Sequence, residues 1–321
     1  MNTIPTTSKK PKISYTVVGG TKIDRLRKFS FPFTIILLNR GGLFYRSEMI
    51  LELQDLKVGD IICIEGPHIP YDIEPLSRNF PDIRFLLLRD EASVGEKINL
   101  GLEEAQSKLV MIGWSNTRVI PSSLNRAFLD RIEQSEAICT LPQFKNSRGE
   151  IIPSIRIPAF IRNKLKLLPW KPGKTRQKSI VPFDYCGIYN KSKHMKIGGY
   201  DHKIRNSYWQ RLDYGFRAFL WGENISYEPD FLVNYISEPV LEDNTPDESY
   251  KLFYLKNLAV KYKRGRGMLP YSRLMRYLLR SDTGLIYSFK EFREVRKWVT
   301  SNCFQFKKDA AALVNQWEAP E

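Results

Sequence analysis

Between Phe33 and Trp114 the chain alternates short, continuous apolar runs with amphipathic stretches of helical spacing. The run FTIILL ends in the polar pair Asn39 and Arg40, and comparable runs occur in DIICIEGP, IRFLLLRDE and KLVMIGW. Such runs are typical of strands buried on both faces, and the helical stretches LFYRSEMILELQDL and GEKINLGLEEAQS fall between them. Strand and helix in alternation predict an α/β fold, with a parallel sheet and helices on its faces.

The ends of the predicted strands mark the place of a candidate site. In open parallel sheets, ligands bind beyond the carboxyl ends of the strands. We therefore expect one crevice to be bordered by the residues that follow the strands, namely Asn39, Glu65, Arg89 and the turn from Trp114 to Asn116. A nucleotide-sized ligand suits such a crevice, but this pattern alone leaves the chemistry open.

Composition restricts the class of protein. The chain has 321 residues, 42% of them hydrophobic, which is typical of a folded globular protein. It has no apolar run of the roughly 18 residues needed to cross a bilayer, and its N-terminus lacks the apolar core of a secretory signal, so we expect a cytoplasmic protein. The four cysteines are too widely spaced to predict a zinc site or a disulfide: Cys63, Cys139, Cys186 and Cys303.

The net charge of +15 is concentrated in two segments. Residues 141–180 contain ten lysines and arginines against one glutamate, and residues 251–321 contain fifteen against six acidic residues. Such segments serve anionic lipid headgroups, phosphorylated ligands or nucleic acid, or they form a solvated basic face. No recognition fold or RNA-stacking motif accompanies the charge, so we do not expect a nucleic-acid partner.

Two segments resemble family 2 glycosyltransferases of the GT-A fold, and together they cover about Phe33 to Pro229. The first matches the helix before the family's metal-binding turn, at Gly95, Asn99, Gly101, Leu102 and Ala105. The second matches the Gly-Gly-aromatic-Asp turn and the helix after it, at Gly198, Gly199, Tyr200, Asp201, Asp213, Arg217 and Gly222. The resemblance implies a Rossmann-like, mostly parallel sheet flanked by helices.

The activity implied by the resemblance is transfer of a sugar from a nucleoside-diphosphate sugar to a hydroxyl of a glycan or lipid-linked acceptor, as in surface polysaccharide synthesis. Donor contacts are expected from Asn39, Glu65, Asn99, Ser115 and Asn116. Acceptor contacts are expected from Gly199, Tyr200, Asp201 and Trp209, with Tyr185, Tyr208 and Tyr214 nearby as further aromatic surface for a sugar ring. The alternative is that these polar and aromatic residues only stabilise the fold.

Both acidic motifs of the family are missing. Trp114 and Asn116 stand in place of the two aspartates of the Asp-x-Asp motif, and the Glu-Asp pair of the acceptor helix falls on Gln210 and Arg211. The family's metal, Mn²⁺ or Mg²⁺, bridges the two phosphates and requires anionic oxygens, whereas Asn116 offers a neutral carbonyl. We therefore expect that no metal is tightly bound.

Two explanations of these losses remain open. In a working enzyme, Asp213 would act as the base, because it lies three residues after Gln210 on nearly the same helix face. A basic Pro-Gly loop with Lys174, Arg176 and Lys178 would then close over the diphosphate. In a pseudoenzyme, the scaffold would bind a nucleotide, a glycan or a protein without catalysis.

We expect three parts: an N-terminal arm over residues 1–30 with a short strand at ISYTVV, a GT-A domain over 31–238, and a basic helical region over 239–321. In the last part, one predicted helix places Tyr271, Leu274, Met275 and Leu278 on a single face. The next places Phe289, Phe292, Val295 and Trp298 or Val299 together. These helices either lie on an anionic membrane at its inner face or pack on the catalytic domain.

Overall fold

A computed structural model describes residues 13–20, 31–40, 47–56, 58–68, 72–162, 164–278 and 284–317 of the protein. The strands are β1 (Tyr15–Gly19), β2 (Phe31–Leu38), β3 (Val58–Glu65), β4 (Arg84–Leu88), β5 (Leu109–Trp114), β6 (Thr117–Val119), β7 (Cys139–Lys145), β8 (Ile155–Ile161), β9 (Lys164–Trp170), β10 (Gln177–Lys178), β11 (Gly187–Asn190), β12 (Ile225–Tyr235), β13 (Lys261–Lys263) and β14 (Arg266–Met268).

The helices alternate with these strands in the first half of the chain and dominate after β12. They are α1 (Ser47–Asp55), α2 (Glu74–Asn79), α3 (Val94–Glu104), α4 (Arg126–Ser135), α5 (Lys191–Lys196), α6 (Ser207–Leu220), α7 (Glu248–Phe253), α8 (Ser272–Leu278), α9 (Leu285–Ser301) and α10 (Ala310–Asn315). Two 3-10 turns, Pro121–Ser123 and Phe183–Tyr185, and a π-helical segment, Tyr254–Leu258, lie between them.

A ten-stranded sheet forms the centre of the molecule, in the order β1-β4-β3-β2-β5-β11-β7-β12-β10, with β6 paired to β12. Strands β2, β3, β4 and β5 are mutually parallel, and β7 and β12 run in the same direction. The apolar runs of β2 and β3 are buried on both faces because helices cover the sheet, as their sequences predict. The predicted α/β fold with a mostly parallel sheet is confirmed.

The register of the central strands brings their carboxyl ends to one edge. Leu38 at the end of β2 pairs with Ile64 of β3 on one side and with Trp114 of β5 on the other. The next residues of these strands are therefore neighbours in space, although they are far apart in the chain. This edge is where the strand-end residues were expected to form a site.

The sheet also includes residues that were assigned to an N-terminal arm. The predicted strand in ISYTVV is confirmed, but β1 pairs antiparallel with β4 along its whole length, and the Arg89 amide donates to the Ser14 carbonyl. The sheet therefore begins before the boundary expected at residue 31. The remaining residues of that arm lie outside the described residues, except for Ile13 and Gly20.

The region after residue 238 packs against α6 through aromatic contacts. Ring centroids are 5.7 Å apart for Trp209 and Phe253, 4.9 Å for Phe219 and Trp317, and 5.9 Å for Trp221 and Trp298. These side chains belong to one hydrophobic core that also contains the sheet. The C-terminal region therefore shares its core with the GT-A half.

The apolar faces predicted for α8 and α9 have different outcomes. On α9, Phe292, Val295 and Val299 are buried as predicted, whereas Phe289 is 42% exposed. On α8 the predicted face is only partly covered: Leu274 packs against the core, whereas Tyr271 and Met275 are 56% and 65% exposed. Tyr277 is buried instead, with its hydroxyl donating to Glu291, so α8 presents a different side to α9. In the described residues, every helix is too short or too polar to span a lipid bilayer.

A buried ion network joins α6 to the π-helical segment. Arg217 donates to the Asp213 carboxylate at 2.8 Å, and Lys256 lies 3.2 Å from the same carboxylate and 2.6 Å from that of Asp201. The Asn257 amide donates to Asp213 at 2.8 Å. Burial alone would raise the pKa of the Asp201 carboxyl, but the Lys256 ammonium lowers it below its ordinary value. This network connects Asp201 and α6 to residues beyond 238.

We predict that Asp201→Asn lowers the free energy of unfolding by about 3 kcal/mol at pH 7, because Lys256 loses a buried partner. The pKa of Asp201 is lower in the folded state, so its stabilisation is complete above about pH 4 and is lost as the pH falls towards the folded-state pKa. Urea unfolding at pH 7 and pH 3.5 should therefore show a difference between variant and wild type that shrinks on acidification.

The matched control is Asp230→Asn, which removes a pair with Arg131 whose aspartate side chain is 65% exposed. It should cost less than about 1 kcal/mol at either pH. If Asp201→Asn and wild type differ in free energy of unfolding by as much at pH 3.5 as at pH 7, the charge of Asp201 is not what stabilises the fold.

Candidate functional site

The carboxyl edge of the sheet carries a cluster of polar side chains. Asn39 donates to Glu65 at 3.3 Å, and the Ser115 hydroxyl donates to the Asn39 carbonyl oxygen at 3.1 Å. The Arg40 amide donates to the Ser115 hydroxyl oxygen at 3.2 Å. Three of the predicted donor-site residues thus lie together. Glu65 and Ser115 are buried, whereas Asn39 is partly exposed.

An arginine and an aspartate that sequence reasoning missed form the exposed side of this cluster. Arg40 donates to both carboxylate oxygens of Asp184, at 2.8 and 2.6 Å, and Tyr235 donates to the same carboxylate at 2.6 Å. The side chains of Arg40 and Asp184 are 17% and 16% exposed. Burial alone would lower the pKa of Arg40, but the hydrogen bonds and charge of Asp184 raise it. Arg40 is therefore a fixed cation at the crevice.

The backbone at Asp184 is held in an unfavourable conformation. Asp184 and Tyr185 have φ values of 49° and 62°, in the left-handed region that side chains disfavour. Trp114 donates its indole N–H to the Asp184 carbonyl at 2.7 Å, which holds this turn in place. Backbone strain of this kind persists where surrounding contacts fix it, and it is concentrated at functional sites.

The turn that aligns with the family's metal-binding motif has a different chemistry. Trp114 is buried, and the Arg40 guanidinium lies 3.8 Å from the centre of its ring. Asn116 donates its amide to Ser237 at 3.0 Å, and its carbonyl oxygen is buried without a hydrogen-bond partner among the described residues. The carboxylate beside the turn, Asp184, is already bound to a guanidinium and a hydroxyl.

Mn²⁺ or Mg²⁺ would require several anionic oxygens at this place. The turn provides an aromatic ring, one neutral carbonyl oxygen and a neighbouring arginine cation. Within the described ranges, no group of three histidine, cysteine, aspartate or glutamate side chains could hold a metal ion. The residues at this turn therefore do not fit the metal that the resemblance implies.

A second carboxylate lies at the place of the missing Glu-Asp pair. Arg211 of α6 donates to Glu242 at 2.7 Å, and its guanidinium lies 5.3 Å from the Tyr185 ring. Burial alone would raise the pKa of Glu242, but Arg211 lowers it, so this side chain is a carboxylate at neutral pH. Glu242 was missed because it lies 31 residues beyond Arg211, in a segment without helix or strand.

The two ends of the candidate site act on the same arginine. Burial alone would lower the pKa of Arg211, but the charges of Glu242 and Asp184 together raise it. The two pairs are also close in space, because the Arg211 guanidinium lies 5.3 Å from the ring of Tyr185, the residue after Asp184. We call this charged cluster the Arg40–Glu242 crevice.

Asp213, the predicted base, is not part of this crevice. Its side chain is fully buried, and both carboxylate oxygens are bound by Arg217, Lys256 and Asn257. No acceptor hydroxyl can approach it in this structure. Within α6 it forms an i,i+4 ion pair with Arg217, so its contacts are those of a structural residue.

Four further predicted site residues lie in a buried network between α3 and α6. The Asn99 side chain donates to the Tyr200 carbonyl at 2.8 Å and accepts from the Tyr200 amide at 2.9 Å. Gly199 has φ of +66°, and a Cβ there would lie 2.4 Å from the Asn99 oxygen. Tyr200 and Asp201 are 1% and 6% exposed. Asn99, Gly199, Tyr200 and Asp201 therefore join the two halves and do not reach the crevice.

Gln210 is the centre of the same network. Its amide oxygen accepts from the Gly95 amide at 2.9 Å and from the Tyr185 hydroxyl at 3.0 Å. Its amide nitrogen donates to the Ser93 hydroxyl at 3.0 Å and to the Asp201 carbonyl at 3.1 Å. All four hydrogen-bonding positions of the side chain are used, so this site requires an amide.

The remaining predicted contacts lie elsewhere. Trp209 is 8% exposed and donates its indole N–H to the Thr245 carbonyl at 2.9 Å. Arg176 pairs with Glu228 at 2.8 Å, and Lys178 of β10 pairs with Ser226 at the start of β12, the opposite end from Tyr235. Lys174 is exposed between β9 and β10. Lys178 therefore lies away from the carboxyl edge where a diphosphate was expected, and Arg89 contacts β1.

Comparison with known proteins supports the fold. The structure is similar to the crystal structure of GalNAc-T7 with UDP, GalNAc and Mn²⁺, with a TM-score of 0.56 and 12% identity, covering 90% of this chain and 58% of that one. It also matches Staphylococcus aureus TarS 1–349 in complex with UDP-GlcNAc, with a TM-score of 0.48 and 12% identity over 84% of this chain and 73% of that one.

No family model matches the sequence, and no curated protein matches it. At 12% identity the likeness to GalNAc-T7 establishes the fold, which is the GT-A glycosyltransferase fold, and leaves the activity open. The chain spans 58% of the GalNAc-T7 chain.

We predict that restoring the family's acid with Gln210→Glu lowers the free energy of unfolding by about 2–4 kcal/mol at pH 7. A carboxylate oxygen would replace the donor that faces the Asp201 carbonyl. Burial would raise the pKa of the new acid, so the penalty should be small near pH 4.5 and grow as the pH rises. Urea unfolding at both pH values measures it.

Gln134→Glu is the control, because Gln134 is an exposed glutamine on α4. Its substitution should leave the unfolding free energy within about 0.5 kcal/mol of wild type. If Gln210→Glu is as stable as wild type at pH 7, the amide is not required.

Proposed function

We propose that the protein is a glycosyltransferase that moves a sugar from a nucleoside-diphosphate sugar to a hydroxyl of a glycan or lipid-linked acceptor. The observation that carries this proposal is the Arg40–Glu242 crevice at the carboxyl ends of the strands. It combines fixed cations for a diphosphate with a carboxylate for an acceptor hydroxyl. In α/β sheets of this type, ligands bind at that edge.

The donor is proposed to be a UDP-sugar, and the transferred group a hexose. GalNAc-T7, which shares the fold, was crystallised with UDP and GalNAc. Asn39 would contact the nucleoside, because it is the partly exposed member of the strand-end cluster, with Glu65 and Ser115 fixing its orientation. Asn116 is 4% exposed and its carbonyl oxygen is buried, so we assign it no donor contact. Surface polysaccharide synthesis is the process that we propose, from the family resemblance.

Glu242 is proposed as the base. The acceptor oxygen attacks the anomeric carbon, the bond from that carbon to the phosphate oxygen breaks, and the nucleoside diphosphate leaves with the electron pair. The acceptor proton passes to the Glu242 carboxylate, which Arg211 holds at 2.7 Å. Attack on the face opposite the leaving group would invert the configuration, as the family resemblance implies.

The test combines binding with turnover. Calorimetric titration with UDP, GDP and UDP-GlcNAc should detect binding of at least one of them to the wild-type chain. With the UDP-sugar that binds, Glu242→Gln should lower the slow hydrolysis of the donor by roughly 100-fold or more, because water also needs a base. Its affinity for the nucleotide should stay within about threefold, because a base acts in the transition state.

Glu223→Gln is the matched control, since Glu223 is a carboxylate paired with Lys193 and Lys196 away from the crevice. It should leave hydrolysis unchanged. Binding of no nucleotide would overturn the transferase proposal and favour the alternative function, a catalytically inactive GT-A scaffold. Donor hydrolysis by Glu242→Gln at the wild-type rate would reject Glu242 as the base.

A lipid-linked acceptor would require contact with a membrane, and we propose that α9 provides it. Its N-terminal turns expose Leu285, Ile286 and Phe289, at 69%, 87% and 42%. At 100° per residue these side chains share one side of the helix with three exposed basic residues, Lys290, Arg293 and Lys297. Glu291 lies on another side of α9, and Glu294, which borders this face beside Lys290, pairs with Lys203. A face that carries exposed apolar side chains and three basic residues against one acid suits an anionic bilayer surface.

Sedimentation with lipid vesicles tests this surface. We expect the protein to bind vesicles that contain about one third phosphatidylglycerol, to bind neutral phosphatidylcholine vesicles weakly, and to dissociate in high salt. The double variant Leu285→Ser/Ile286→Ser should lose most of this binding.

Leu51→Ser is the control, because it removes an exposed leucine from α1, which is far from α9 in the sequence. It should bind anionic vesicles like wild type. Equal binding by the Leu285→Ser/Ile286→Ser variant, or dimerisation of the wild type through this face in light scattering, would reject the membrane proposal.

A further inference from the structure

The feature that carries a further inference is the arginine at the place expected for the metal. The aligned turn puts Trp114 where the family has its first metal-binding aspartate. Here the Arg40 guanidinium covers the Trp114 ring at 3.8 Å. A positive charge is thus present at this turn, although the residues do not fit a divalent cation.

Arg40 is anchored from three directions. Its amide donates to the hydroxyl of Ser115, within the turn itself, at 3.2 Å. Its guanidinium stacks on Trp114 and is bound in a bidentate pair by Asp184, which also accepts from Tyr235. A guanidinium fixed in this way needs little reorganisation when a ligand binds.

The guanidinium retains capacity for an anion. Asp184 uses one N–H of each terminal nitrogen, whereas an arginine has five N–H donors in a planar fork. The side chain is 17% exposed, so it is not sealed inside the protein. Guanidinium groups bind phosphate oxygens through paired, charge-assisted hydrogen bonds.

We propose that Arg40 binds the diphosphate of the donor and takes over the role of the missing metal. The inference rests on the proposed function and specifies its chemistry. As the bond to the anomeric carbon breaks, negative charge develops on the leaving diphosphate, and Arg40 stabilises it. Trp114 and Asp184 are positioning residues, which hold the guanidinium flat and oriented. Nucleotide binding is therefore independent of Mn²⁺ and Mg²⁺.

Calorimetry with matched ligands tests the proposal. The wild-type chain is titrated with UDP and uridine, or with GDP and guanosine, in EDTA and again in Mn²⁺. We expect the diphosphate to bind more tightly than its nucleoside in EDTA, with an affinity that Mn²⁺ changes by less than about threefold. In Arg40→Met the advantage of the diphosphate should fall by roughly 10- to 100-fold, while nucleoside affinity is retained.

Two further variants make the result specific. Arg40→Met/Asp184→Asn removes both charges, so neither is left buried and unpaired, and it should fold and lose the same diphosphate advantage. Arg118→Met is the control, because Arg118 is an arginine of neighbouring β6 that pairs with Glu52 at the surface. It should bind UDP like wild type.

The outcomes separate this inference from the proposed function. Binding that requires Mn²⁺, disappears in EDTA and survives Arg40→Met would reject Arg40 as the diphosphate cation and leave the transferase proposal standing. An unchanged diphosphate advantage in Arg40→Met/Asp184→Asn would reject it equally. Binding of neither diphosphate under any condition would overturn both.

Discussion

The contacts of one buried amide, Gln210, hold the two halves of the GT-A fold together. It links the start of α3, through Ser93 and Gly95, to the Asp201 carbonyl and the Tyr185 hydroxyl. Because Tyr185 directly follows Asp184, the same amide also supports the strained turn that positions Arg40. The amide at this position thus has a complete set of hydrogen bonds and leaves no gap in the structure.

The central fold could be predicted from sequence because its signals are local. Apolar runs such as Phe33 to Leu38 are long enough to identify buried strands, and their shared direction places Asn39, Glu65 and Ser115 at one edge. The face of α8 could not be predicted in the same way. Met275 has the helical spacing of the predicted face but is 65% exposed, whereas Tyr277 is buried against α9, because tertiary packing decides which side of a short helix is buried.

The candidate site was predicted only in part, because its charges come from segments without a periodic pattern. Asp184 lies in a 3-10 turn and Glu242 in a coil after β12, and both reach their arginines through long-range contacts. Aligned motifs pointed instead to Asn99, Asp201 and Asp213, whose polar groups are occupied within the core. A polar residue that matches a family motif can therefore have a structural role.

The ion network around Lys256 changes how the chain divides into domains. The sequence predicts a boundary near residue 238, but Lys256 and Asn257 complete the bonding of Asp201 and Asp213, and Phe253 packs on Trp209. Residues beyond 238 thus supply part of the interior of the part before it. Cooperative unfolding should therefore include both sides of that boundary. In evolutionary terms, the C-terminal region is not a module that could be exchanged without redesigning α6.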